Sequence, residues 1–148
     1  MAAAAAGTLP TEKLEALFDA AVRDTIRRFE ETGSPVISDG EQRKSSFATY
    51  PIQNAKNLVP GGVTIPFADG HTRQLPVLGS GPFRYSDFAS ADLDKAKKYA
   101  KAPLKEAVIS ASALSLLYPQ GGLPGYSREA FFEDLVNEAE KDIRQCLD

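Results

Sequence analysis

Residues 11–31 place apolar side chains at helical spacing. A single glycine follows, and a short β-branched run then ends in an acidic turn. Leu14, Leu17, Phe18, Ala21, Val22, Thr25, Ile26 and Phe29 recur at i, i+3/i+4 intervals, the signature of one buried helix face. Thr11, after Pro10, is placed to cap that helix, Glu12 lies in its first turn, and Gly33 supplies the stop. Val36 and Ile37 centre a strand over residues 35–38, which runs into Asp39-Gly40-Glu41 and then Arg43-Lys44-Ser45-Ser46-Phe47. Helix, glycine, strand is the αβ rhythm of an α/β fold. A strand ending in a polar loop is also where such folds place their chemistry.

The rhythm is interrupted and then resumes. Residues 47–82 hold Pro51, Pro60, Pro66, Pro76 and Pro82 among repeated glycines, which excludes a long helix. The runs 63–67 and 73–78 flank Asp69-Gly70, a hairpin signal, and Pro66 and Pro76 make both runs edge strands. A second helix is expected over 86–101, capped by Ser86. A second strand is expected over 104–110, centred on Ala107-Val108-Ile109, followed by a hydroxyl-rich loop over 110–115. Ser127 then caps a third helix with Phe131, Phe132, Leu135, Val136, Ala139, Ile143 and Leu147 as its expected buried face. The apolar period of that helix is still running at the last residue. Helix, strand, excursion, helix, strand, helix is two repeats of a larger α/β fold rather than a whole one.

Composition bounds the function. With 148 residues, 43% hydrophobic and 25% charged, the chain has the length and balance of one ordinary soluble domain. A net charge of −3 and a pI near 5.2 argue against nucleic acid as a partner. A single cysteine, Cys146, fits a reducing, cytoplasmic setting, and with the single histidine, His71, it leaves too few nitrogen and sulfur ligands for a typical zinc site. No apolar run reaches the ~18 residues of a membrane span. The alanine tract over residues 1–6 lacks the parts of a signal peptide, so residues 1–10 are expected to be a frayed start.

Ala20-Ala21-Val22-Arg23-Asp24 through Glu30-Glu31-Thr32-Gly33, followed by Val36-Ile37-Ser38-Asp39-Gly40-Glu41, resembles the cobalamin-independent methionine synthase family. The likeness is to the catalytic-barrel half and its shorter microbial and fungal relatives. There a helix of similar pattern leads into a strand ending in (D/H)-G-E. Ala107-Val108-Ile109-Ser110-Ala111-Ser112 and the helix after it are similar to the next unit. The resemblance covers residues 14–52 and 101–148 and implies a partial (β/α)8 TIM barrel over 11–148, with a β-hairpin insertion at about 53–82. It also implies methyl transfer from a folate or related donor to a thiol such as homocysteine, held on zinc as a thiolate. The family's zinc ligands, a His-x-Cys pair, a glutamate and a further cysteine, cannot be placed on this chain. The tryptophan and Gly-Pro of the synthases proper are replaced here by Ser110-Ala111 and no tryptophan. This portion alone is therefore expected to be incomplete and inactive.

By the Asp-Gly-Glu match, Glu41 is the carboxylate that fixes the amino group of the thiol substrate. The plainer alternative pairs it with Arg43 or Lys44. Asp39 either orients neighbours at the strand end or caps the turn. Arg43 and Lys44 are expected as solvated loop charges. Ser110 and Ser112, with Ser115, either line a pocket at the second strand end or pack a tight turn. His71 reads as an exposed turn residue and Cys146 as structural, while Tyr118 and Tyr126 form either a lid or ordinary packing. Two other functions compete. One is a truncated, non-catalytic relative that needs a partner for the missing strands and self-associates through exposed edges. The other is a small-molecule-binding domain of the uroporphyrinogen-decarboxylase-like superfamily, with Arg43 set against substrate carboxylates.

Overall fold

The computed structural model describes residues 10–147. The frayed start expected over 1–10 lies outside them, apart from Pro10. The chain divides into two compact units. Among the described residues, the first comprises 10–45 and 89–107, and the second 46–88 and 108–147.

The first unit opens with helix α1, Thr11–Glu31. The cap position is Pro10, with no side-chain cap, so Thr11 is the first helical residue rather than the cap. Gly33 ends the helix at φ 74°, donating its N–H to Glu30 O at 3.0 Å. That left-handed conformation carries no Cβ penalty in glycine. The buried face is narrower than its pattern. Val22 and Ile26 are buried, whereas Leu17 and Phe29 are exposed. The two expected strands meet in one parallel bridge, Ile37 with Leu104, carried by Ile37 N to Pro103 O (3.0 Å) and Lys105 N to Ile37 O (2.9 Å). Pro35 and Pro103 have no N–H to extend the ladder backwards, and the runs 35–38 and 104–110 are extended segments rather than strands. Helix α2, Ser90–Lys97, precedes the second segment. Val22, Ile26, Ile37 and Ala96 form the core of this unit, with Tyr99, Ala102 and Leu104 against it.

The second unit holds the hairpin. Strand β1, Leu58–Val59, pairs antiparallel with β4, Val77–Leu78. Strand β2, Thr64–Pro66, pairs with β3, Thr72–Gln74, in the register Pro66 to Thr72 around the Asp69-Gly70 turn. The expected strand over 73–78 is thus two strands. Pro76 cannot donate to a ladder, and the chain changes partner there. The expected helix start at Ser86 is also displaced. The Ser86 N–H donates to Pro51 O at 2.7 Å and its hydroxyl oxygen accepts from Asn54 N at 3.1 Å, so the oxygen that would cap a helix is engaged elsewhere. The hydroxyl-rich run forms a short helix α3, Ala111–Leu114, and a 3-10 turn, Ser115–Leu117.

Helix α4, Arg128–Leu147, is the last element of the described residues. Ser127 caps it as expected, its hydroxyl accepting from Ala130 N at 3.1 Å. Its buried face is Phe131, Leu135, Glu138, Ala139 and Asp142, so two acids occupy core positions. Phe132, Val136, Ile143 and Leu147, expected inside, are exposed. Phe83 stacks edge-on against Phe131 at 5.3 Å, with Tyr118 beside it. Ile52, Leu78, Leu114, Leu117 and Leu135 complete this core. Each large side chain buried there contributes about 1.5–3 kcal/mol. Tyr118 and Tyr126 belong to this packing. The Tyr118 hydroxyl donates to Tyr126 O and the Tyr126 hydroxyl to Asp134, both at 2.7 Å.

Candidate functional site

In the first unit the backbone after Ile37 turns sharply. Gly40 has φ 71° and Glu41 φ 54°. A side chain on Gly40 would also meet Thr25 Cγ2 of α1 at 2.8 Å. Glycine is therefore required twice over, by conformation and by close approach. Glu41 has no such licence. A non-glycine residue in the left-handed region costs of order 1–3 kcal/mol and persists where its surroundings impose it. What imposes it here is Asp39, whose Oδ1 accepts the Glu41 N–H at 2.8 Å. Through that bond the Asp39 carboxylate caps the turn. It is also buried, at 2% exposure, and its Oδ2 has no hydrogen-bond partner.

Arg43 and Lys44, expected as solvated charges, are both buried, with side chains 4% and 2% exposed. Arg43 reaches α1, donating to Glu15 at 2.8 Å and to Asp19, with its guanidinium over the Phe18 ring. Lys44 pairs with Glu106, whose side chain is equally buried, and also donates to Ala107 O. Each cation is committed elsewhere, so the plain reading of Glu41 as their partner fails. The half-buried Glu41 makes no side-chain hydrogen bond or ion pair among the described residues.

Around this turn sit three carboxylates whose charges act on one another. Burial pushes Glu106 up to about 7 against the pull of Lys44, and Asp39 and Asp92 add to the rise. Burial also raises Asp92 on α2, against Lys95, with Asp39 contributing. Such an acid-rich, partly desolvated turn favours a cationic group and disfavours an anionic one.

The other expected site residues fall in the second unit. Ser110 and Ser112 are exposed, their hydroxyls 3.0 Å apart. Ser110 lines an open groove of about 660 Å³ with Val108, Ile109, Val136, Ile143 and Leu147. The structure brings Asp39 and Glu41 together in one unit and Ser110 and Ser112 together in the other. His71 sits in the hairpin turn, stacked on Phe67 at 4.2 Å and hydrogen-bonded to Asp69. Cys146 lies at the end of α4. Among the described residues no three His, Cys, Asp or Glu side chains converge to hold a metal ion, so their donor set does not fit a zinc. Also among the described residues, no helix is long and apolar enough to cross a membrane.

Glu106 escaped the sequence reading. Its signal was a charge inside the alternation Leu104, Glu106, Val108, where one face of the segment should be apolar. Glu138 and Asp142 carried a similar signal, acids seven and eleven residues after Phe131 on its own helix face.

No protein-family model matches this chain, and no curated protein matches it in sequence. Among solved structures it is similar to a B12-independent methionine synthase from Shewanella sp. W3-18-1, determined in complex with selenomethionine. The TM-score is 0.72 at 18% identity, over 95% of this chain and 41% of that one. The likeness is one of fold. This chain spans well under half the length of the protein it matches.

Proposed function

We propose that this chain is a methionine-synthase-like methyltransferase portion that contributes the substrate side of the site. The turn at Asp39–Glu41 takes the ammonium group of a thiol amino acid such as homocysteine. One observation carries the reading: Glu41 is half-buried and unpaired, held in a left-handed conformation by Asp39. A strained, unpaired carboxylate in an acid-rich turn is poised to accept a charged N–H donor. The fold likeness to a B12-independent methionine synthase supports the substrate class. Zinc, which in that chemistry keeps a thiol as thiolate, finds no fitting donor set among the described residues, so no step is routed through it.

Calorimetric titration with L-homocysteine tests the reading. The wild-type chain should bind, and Glu41→Gln should weaken binding at least tenfold, the loss of one charge-assisted contact. Equal affinities for the two proteins would reject Glu41 as the anchor.

A second reading, a non-catalytic relative completed by association, is favoured by the exposed stripe Val136, Ile143 and Leu147 along the 660 Å³ groove. A folded wild-type chain that ignores the amino acid and sediments as an oligomer would favour it. The reading that sets Arg43 against substrate carboxylates is disfavoured, because Glu15 and Asp19 already hold that guanidinium.

A further inference from the structure

Helix α4 carries apolar side chains on two faces, and the core of the second unit takes only one of them. Phe131, Leu135 and Ala139 are buried, while Phe132, Val136, Ile143 and Leu147 stay exposed, Leu147 at 80%. At about 100° per residue, those four exposed side chains fall within about 60° of one another, in a stripe about 22 Å long. The segment 108–111 stands beside the stripe, and the two enclose the open groove of about 660 Å³. The spacing of the stripe reads the same in both directions: four residues from Phe132 to Val136, seven to Ile143, four to Leu147. It therefore matches a copy of itself turned end over end, which is the geometry of an isologous two-fold contact. Glu133, Glu140 and Arg144 line one flank of it. Arg144 holds Glu140 of its own helix at 2.6 Å. Glu133 makes no side-chain hydrogen bond or ion pair among the described residues.

We propose that this face is a homodimer interface, in which two copies pack their α4 helices antiparallel, stripe on stripe. A two-fold axis between Ala139 and Glu140 sets Val136 against Ile143 of the second copy and Phe132 against its Leu147, in both directions. The charged flanks then fall on the same side of the seam. Arg144 comes within about 3 Å, measured along the axis, of Glu133 of the second copy, and this pair forms twice. A parallel pairing leaves the same two groups about 16 Å apart along the axis. Charge therefore selects the antiparallel arrangement, and the opposed helix dipoles favour it too. The alignment also brings Glu140 near its own copy, although each is already held by the Arg144 of its helix. That like-charge contact, and an interface of one helix face and one groove wall per copy, make the dimer a weak, concentration-dependent one. The proposal goes beyond association as such, because it names the face, the partner and the orientation. It rests on neither functional reading.

Sedimentation of the full chain over about 5 to 500 µM tests it, with amide spectra recorded across the same series. The wild type should pass reversibly from monomer to dimer, and the amides of residues 132–147 should shift as it does. Ile143→Asp sets a charge in the seam and should weaken the dimer at least tenfold. Leu17→Asp, at an exposed apolar residue of α1, should leave it unchanged. Glu133→Arg and Arg144→Glu should each weaken it, and the double variant should dimerise more tightly than either. A wild type that stays monomeric at the highest concentration would overturn the proposal and leave the stripe to a different partner. So would oligomers that ignore Ile143→Asp, or that form without any shift at residues 132–147. A double variant no tighter than the single ones would overturn the antiparallel pairing. The wild-type series decides even where a variant fails to fold. Homocysteine is absent throughout, so the outcome is separate from that of the substrate reading.

Discussion

The two units solve burial in opposite ways. The second encloses an aromatic and aliphatic core, with Phe83, Phe131, Leu78 and Leu117 each at 1% exposure or less. Its buried acids are occupied: Glu138 accepts the Tyr85 N–H at 3.1 Å and Asp142 the Tyr50 hydroxyl. The first packs a thin core of Val22, Ile26, Ile37 and Ala96, and beside it buries a lysine, an arginine and carboxylates with unsatisfied oxygens. Apolar packing gains stability without demanding a particular ionisation state. Buried, incompletely matched charge gains little stability and makes a region sensitive to protons and cations. The second unit thus holds the apolar core, and the first the buried, incompletely matched charge.

The largest test of that contrast is Phe131→Ala. It removes the ring shared by Phe83, Tyr118 and Phe132 and should cost about 3–5 kcal/mol, read from urea unfolding. A loss under about 1 kcal/mol would mean that this core is not the scaffold.

A smaller effect separates the units by pH. The fold raises Glu106 from 4.5 to about 7, so in that window the folded chain holds a proton that the unfolded chain has released. Its contribution to stability is therefore full below about pH 4.5 and is lost as pH rises through about 7. Melting temperature should fall between pH 5.5 and 8 in the wild type, and the slope should flatten in Glu106→Gln. An unchanged slope would move the titration elsewhere. The Tyr126 phenol of the second unit, raised to about 12 by burial and Asp134, stays protonated throughout this range and contributes no slope.

The legibility of the chain follows the same division. Regular local signals were readable. The span of α1 and its glycine stop, the Asp69-Gly70 hairpin and the Ser127 cap all follow from backbone rules that act within a few residues. The extended segments were readable as extended, but not that their pairing would stop at one bridge. Pairing depends on partners distant in sequence. The stripe of α4 was misassigned because Phe132, Val136, Ile143 and Leu147 fit a helix period as well as the residues that are buried, and hydrophobicity alone does not say which stripe faces in. At the site, Asp39 and Glu41 stood out by their place after a β-branched run. The burial of Arg43 and Lys44 did not, because it depends on Glu15, Asp19 and Glu106, which lie 28, 24 and 62 residues away.

Hydrogen–deuterium exchange of the full chain, with and without L-homocysteine, tests most directly whether the charged unit is the one that meets ligand. The account predicts slower exchange confined to the peptides spanning residues 37–45 and 104–107, with the groove walls at 108–111 and 136–147 unchanged. Protection of the groove walls with none at residues 37–45 would contradict it.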